Sequence, residues 1–277
     1  MEPAAARSRF AELMARPDAV VDLGEGALLI AAAEYPDLDT AAYLAQLDEL
    51  GRQARGRLQG VETASAVDRL CRFLVDEAGF RGNTDDYYDP RNSFLNDVLD
   101  RRLGIPITLS AVFIEVGRRA GLAVEGVGLP GHFIVRVQDS GGSHLVDPFH
   151  DGARLDGDDC QERLDRIFEG RLQVDESMLQ ATPTKGILAR MLRNLKAIYS
   201  RREDHLRALR TVEMLIEMQP EAAEELRDRG MLYAALDCYT LAARDLAAYL
   251  ERVPRTPEAS RILHTIGEMR RLEARLN

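Results

Sequence analysis

G-I-P-I-T-L-S-A-V-F-I-E-V-G-R-R-A-G runs from Gly104 to Gly121, and P-G-H-F-I-V-R-V (Pro130 to Val137) and H-L-V-D-P (His144 to Pro148) follow it closely. The first stretch reads as a helix. Pro106 suits the first helical position, where its missing N–H would be unpaired anyway. Ile107, Leu109, Ala111, Val112, Phe113, Ile114 and Val116 place apolar side chains all round it, the mark of a buried central helix. Gly121 supplies the stop. Beyond Gly121 the hydrophobic period falls to two. V-E-G-V-G, H-F-I-V-R-V and H-L-V-D read as short strands, with D-S-G-G (Asp139 to Gly142) turning the chain between the last two. A helix followed by an antiparallel sheet predicts an α+β fold.

Two side chains in these strands carry chemistry. His132 opens one strand and Asp147 closes the next. Antiparallel pairing of Phe133–Val137 with His144–Val146 brings the far ends together, and with them His132 and Asp147. A cysteine nucleophile at a helix start would complete such a pair, since the helix N-terminus lowers its pKa and the His takes its proton. A carboxylate then fixes the His tautomer. The helix start here holds Pro106, which has no nucleophilic atom. Ser110, one turn later on the same face, is either a substitute nucleophile with His132 as base or a small packing residue. His132 and Asp147 also have plain structural readings, as a strand hydrogen-bonder and as the end of a strand at a turn. His144, Asp147, His150 and Asp151 offer imidazole and carboxylate ligands, but without a helical i, i+4 pair. No metal and no other cofactor is expected.

Residues 1 to about 103 read as helical. Ala27–Tyr35 forms a buried helix that Pro36 ends. Asp39 and Thr40 cap a second helix that runs through Tyr43, Leu44 and Leu47 to about Leu58. A third spans Thr63 to Ala78, with Val67, Leu70, Cys71 and Leu74 inward and Gly79 as its stop. Phe80 to Phe94 is polar, aromatic and turn-rich, and predicts an ordered loop. Its Asn83, Tyr87, Tyr88, Arg91 and Asn92 either line a cleft beside the His, together with Pro106, or brace the helical layers. Asn92 or Ser93 is placed to cap a helix through Leu95, Val98 and Leu99.

From about Pro183 the chain is helical to its end, and it repeats. Leu192, Tyr199, Ala208 and Pro220 recur 34 residues later as Leu226, Tyr233, Ala242 and Pro254. The period resembles the tetratricopeptide repeat, in which paired antiparallel helices set a small residue against an aromatic one. Gly230 fits that pattern and Lys196 departs from it. Thr256-Pro257-Glu258 starts one more helix, with Thr as cap, to cover the end of the array.

Together, the Gly104-Ile105-Pro106 start, the R-R-A-G helix end, P-G-H-F and V-D-P-F resemble the transglutaminase-like superfamily, whose core is papain-like. N-S-F-L-N-D-V-L-D-R-R-L-G-I-P-I-T-L-S (Asn92 to Ser110) is similar to the SirB family, which carries a transglutaminase-like domain followed by tetratricopeptide repeats. The resemblance implies a transglutaminase-like domain with a helical N-terminal part over residues 1–182 and a repeat domain over 183–277. His132 and Asp147 match the family's His and Asp. In the catalytic branch a Cys follows Gly-x, where this chain has Pro106. The resemblance therefore implies a non-catalytic protein that binds a protein or peptide through its repeats and cleft, in a regulatory role. The alternative is a cleft hydrolase or acyltransferase that uses His132 and Asp147 with another nucleophile. A metal-binding protein built on the histidine cluster is a third reading.

Bulk properties narrow the classes. The chain has 277 residues, enough for two domains, and its 45% hydrophobic and 30% charged content suits a globular protein. A formal charge of −10 argues against nucleic acid as a partner. No apolar run reaches the ~18 residues that span a bilayer, and M-E-P-A-A-A-R-S-R-F lacks a signal pattern. The expected location is the cytoplasm, with no membrane partner. Cys71, Cys160 and Cys238 are few, odd in number and far apart, so neither a disulfide framework nor a thiolate zinc site is expected.

Overall fold

The computed structural model describes residues 2–60, 63–139 and 142–276, and the chain divides into two compact units, Met1–Met191 and Leu192–Asn277. The first unit opens with α1 (Pro3–Ala15), α2 (Leu23–Ala32), α3 (Thr40–Leu58) and α4 (Thr63–Arg72), which continues into a π-helical turn at Phe73–Glu77. Asp22 caps α2, accepting from the Glu25 N–H at 2.7 Å, so this helix starts and ends earlier than Ala27–Tyr35. Asp39 caps α3 through the N–H groups of Ala41 and Ala42. β1 (Arg81–Gly82), α5 (Leu95–Arg101) and β2 (Leu103–Gly104) follow, with β1 parallel to β2. The cap expected from Asn92 or Ser93 is not made. Phe94 stands at the α5 N-cap and offers no side-chain acceptor. Asn92 is instead spent on the loop that precedes it, described below.

The helix led by Pro106 is α6 (Pro106–Ala120), and it is buried along nearly its whole length. Leu109, Ala111, Val112, Ile114 and Val116 are fully enclosed. Each large aliphatic side chain among them contributes about 1.5–3 kcal/mol by leaving water. α3 packs along one side of α6 and the sheet along another. That sheet runs in the order β3 (Ala123–Val127), β4 (Ile134–Asp139), β5 (Gly142–Asp147), β6 (Ala153–Leu155), all antiparallel. β4 and β5 pair Val135 with Val146 and Val137 with His144. Asp139 pairs with Gly142, and Ser140 and Gly141, the centre of the expected turn, lie outside the described residues. α7 (Gly157–Phe168) closes this region, and α8 (Thr184–Arg201) begins in the first unit and ends in the second.

The second unit continues with α9 (His205–Met218), α10 (Ala223–Ala235), α11 (Tyr239–Arg252) and α12 (Ala259–Leu276). Its core holds Leu226, Ala242, Leu246, Tyr249, Ile262 and Ile266, with Tyr233 packed against it. The small residue at 242 thus sits with the aromatic at 233, as the period predicts. α12 starts at Ala259, later than expected. Thr256 still receives the Glu258 N–H, at 3.4 Å. Lys196, the departure from the repeat, binds the carboxylates of Glu225 (2.8 Å) and Asp228 (2.6 Å), which gives the buried Glu225 its counter-charge. Among the described residues no helix is long and apolar enough to cross a membrane.

Candidate functional site

Leu129-Pro130-Gly131-His132 is a tight turn. The His132 N–H donates to the Leu129 carbonyl at 3.1 Å, Pro130 takes the position its fixed φ suits, and Gly131 has φ +71°. A type II turn requires that positive φ, and glycine takes it without Cβ strain. The turn delivers His132 to the head of β4, where its ring is nearly covered. Asp147, at the end of β5, is completely buried. His132 Nε2 donates to Asp147 Oδ2 at 2.8 Å. The strand pairing therefore brings the two residues together as the sequence predicts.

Asp147 also ends the strand, so both of its readings hold at once. Its Oδ1 accepts the N–H groups of Phe149 (3.1 Å) and His150 (3.3 Å), capping a 3₁₀ turn at Pro148–His150. Its Oδ2 takes two more donors besides His132: His150 Nδ1 at 2.7 Å and Arg163 Nε at 3.0 Å. Burial pushes this carboxyl's pKa up, but the hydrogen bonds and charges of His132 and His150 outweigh it and hold the group well below the usual carboxylate range. With Nε2 committed to Asp147, His132 is left with Nδ1, which makes no hydrogen bond among the described residues.

The loop from Phe80 to Phe94 is ordered by its own amides. Asn83 Nδ2 donates to Asn92 Oδ1 at 3.0 Å, and Asn92 Nδ2 donates to the Asp86 carbonyl at 2.7 Å. The Thr108 hydroxyl accepts the Ile105 N–H and donates to the Asn92 carbonyl, which ties the loop to the start of α6. Arg91 pairs with Asp89 (2.8 Å), away from the His. Asn83, Asn92 and Arg91 therefore brace the loop. Tyr87 turns toward the site: its ring packs edge-on against Phe149 (5.9 Å between centroids), which packs against His132 (6.3 Å) and His150 (5.1 Å). Tyr88 stacks on Tyr87 at 5.3 Å. Gly82 admits Phe149 here, since an added Cβ would lie 2.6 Å from the Phe149 carbonyl oxygen and 2.7 Å from its ring.

Pro106 stands at the first position of α6, buried and without a nucleophilic atom. Ser110 is fully buried, and its hydroxyl donates to the Phe133 carbonyl at 3.4 Å, with no hydrogen bond to His132 among the described residues. The four-residue metal cluster is not assembled. His144 accepts from Arg154 (3.3 Å), and Asp151 pairs with Arg81 (3.1 Å). His132, Asp147 and His150 do place ligand atoms within 4.8 Å of one another. Both imidazoles, however, donate N–H to the carboxylate, and the Arg163 guanidinium already balances its charge. A divalent cation fits poorly there.

Sequence reasoning missed Arg163, Phe149 and Arg190. Asp156 and Asp159 cap α7 reciprocally, a visible helix start, and Cys160 and Leu164 mark its buried face next to Arg163. Arg190 lies on α8 within a segment read only as repeat, and nothing in the local sequence points it at the site.

A His and a carboxylate joined across paired strands, beside a buried helix that starts at Pro106, have the arrangement of a papain-like core. A family model described as the transglutaminase-like superfamily matches residues 41–193, and a tetratricopeptide repeat model matches residues 195–267. The chain belongs to the transglutaminase-like superfamily. It is 38% identical over 243 residues to a UPF0162 protein of Xylella fastidiosa, covering 86% of each chain. A UPF0162 protein of Pseudomonas aeruginosa is 35% identical over 249 residues, covering 89% of this chain and 90% of the relative. Protein SirB1 of Salmonella typhimurium is 26% identical over 237 residues, 85% of this chain and 88% of that protein, in keeping with the SirB resemblance. No solved structure matches the chain.

Proposed function

We propose that the region around His132 is a non-catalytic binding site for a protein or peptide, and that the protein acts as a regulatory binding partner in the cytoplasm. The observation that carries this reading is Pro106 at the head of α6, where the chemistry needs a thiolate. The other nucleophiles near the core do not replace it. Ser110 is tied to a main-chain carbonyl. Burial pushes the Cys71 thiol up to about 12 and raises Cys160 as well, so neither forms a thiolate near neutral pH. On this reading neither Ser110 nor these thiols supplies the attacking atom. Two surfaces support binding. Tyr87 and Tyr88 present exposed aromatic area in this region, of the kind that anchors peptides. In the second unit a groove of about 570 Å³ runs between α11 and α12, lined by Tyr239, Ala243, Ala247 and Met269.

Pro106→Cys tests the reading. Proline is tolerated but not required at the first helical position, so the fold survives the change. The new thiol gains a helix N-terminus and His132, which lower its pKa by roughly one unit or more from about 8.5. It is expected to react with iodoacetamide at about pH 6, faster than any native thiol, and His132→Ala should slow it. Wild type is expected to hydrolyse no ester or amide substrate. Wild-type turnover that vanishes in Ser110→Ala would overturn the proposal.

A further inference from the structure

We infer that the surface beside the His132 turn receives a carboxylate, and that Arg190 is the residue that binds it. This rests on the reading of the region as a peptide site and names the chemistry the peptide brings. Arg190 Nη2 donates to the carbonyls of His132 (2.7 Å) and Leu129 (2.8 Å), so the guanidinium is held against the turn that aims the histidine. Its plane lies over the Phe133 ring, 5.3 Å from the centroid. These contacts fix its position without neutralising it, and among the described residues no carboxylate pairs with it. The other arginine at the site, Arg163, is matched by Asp147. In a chain of formal charge −10, a half-buried arginine with no carboxylate paired to it among the described residues is a cation available to an anionic group.

The remaining donors of Arg190, Nε and Nη1, are not among the buried polar atoms without a partner, so they face accessible space. Gly128 keeps that space open, because a Cβ there would sit 3.1 Å from Nη1 and 3.0 Å from Thr182 Oγ1. Burial lowers the Arg190 pKa while the Tyr87 phenol acts against it, which places the phenol within electrostatic reach of the guanidinium. That phenol has no hydrogen-bond partner among the described residues and is free to donate. With Nη2 taken by the two carbonyls, Nη1 and Nε remain as separate donors, and one of them together with the phenol O–H can meet the two oxygens of a carboxylate. The carboxylate is either the C-terminus of a peptide or an acidic side chain within it.

The test is an NMR titration of the full chain with three small probes, read at the His132 ring Cε1–H and the Arg190 Nε–H. N-acetylalanine carries a main-chain carboxylate, N-acetylglutamic acid α-amide a side-chain carboxylate, and N-acetylalaninamide none. At least one acid is expected to shift both signals saturably, and the neutral amide neither. The acid that binds tighter identifies the source. Arg190→Gln should weaken binding by roughly ten- to a hundredfold, and Tyr87→Phe, which keeps the ring packing, by a smaller factor. Arg190→Lys keeps the charge without the fork, and partial binding by it would support the assignment even if Arg190→Gln is poorly folded. Equal shifts from the neutral amide, no shift from either acid, or undiminished binding by folded Arg190→Gln would overturn the inference. Amidated neutral peptides that bind this region while both acids fail would remove the carboxylate and leave the peptide reading standing.

Discussion

Replacing Asp147 with Asn changes one atom and should open the region it anchors. Asp147 Oδ2 receives His132 Nε2, His150 Nδ1 and Arg163 Nε, while Oδ1 receives the N–H groups of Phe149 and His150. An amide has a single oxygen. Whichever way it turns, its NH₂ faces donors on one side, and Arg163 loses its anion. Removing one partner of a buried, hydrogen-bonded charge pair costs about 3–5 kcal/mol. At 1.36 kcal/mol per factor of ten, amides of β4 and β5 that exchange through opening of this unit should exchange roughly a hundredfold to a few thousandfold faster. Hydrogen exchange with peptide mass spectrometry is the suitable assay, because the chain contains no tryptophan to report unfolding. The pH dependence gives a second reading. The folded carboxyl titrates below its unfolded value of about 3.9. Its contribution is therefore fully present above that value and fades as pH falls toward the folded one. Wild type should lose protection on acidification below about pH 4, and Asp147→Asn should lack that component. Protection unchanged within about threefold at pH 7 would refute the view that this carboxylate organises the turn and the His.

The second unit allows two further checks. Ala242 is fully enclosed in the core against which Tyr233 packs, so Ala242→Phe should overpack the α10–α11 seam by about 1–3 kcal/mol, and a thermal melt indistinguishable from wild type would count against the packing described. Arg229 binds Asp245 through two nitrogens, at 2.5 and 3.1 Å, and Asp245 is buried. Arg229→Ala should therefore cost about 3–5 kcal/mol by urea titration, with Arg229→Ala/Asp245→Ala less destabilised than the single variant. Additive losses would show that the pair is not coupled.

The central helix, the strand pair and the repeat were legible because each rests on periodicity. α6 carries apolar residues on every face, the strands alternate, and the repeat keeps a fixed spacing. His132 and Asp147 were legible for a related reason: antiparallel pairing is short-range, so two residues flanking one hairpin must meet. Caps were less so. Asp39 does cap α3, but Asn92 lies within reach of a better set of partners, the carbonyls and amide of its own loop, and leaves α5 to Phe94. The rest of the site was hidden because it depends on long-range placement. Arg163 arrives from a helix beyond the sheet and Arg190 from a helix after that, and no local pattern says which face of either helix meets the His132 turn. Ser110 stands between two readings in the sequence. Its spacing from Pro106 places it correctly on the helix, but that face meets a main-chain carbonyl.

Pro106 removes more than a side chain. Acyl-transfer sites stabilise the oxyanion of the tetrahedral intermediate with fixed donors, and the main-chain N–H at a helix start is among the strongest available. A proline ring closes on that nitrogen, so the first position of α6 has no hydrogen to offer. On the non-catalytic reading, attack and charge stabilisation are lost together through one covalent ring. They would return together too: any other residue at 106 restores the donor, and cysteine or serine restores an attacking atom as well. A serine there would supply a hydroxyl and an oxyanion contact beside an intact His–Asp pair, which makes this position the narrowest gap between a binding protein and a hydrolase.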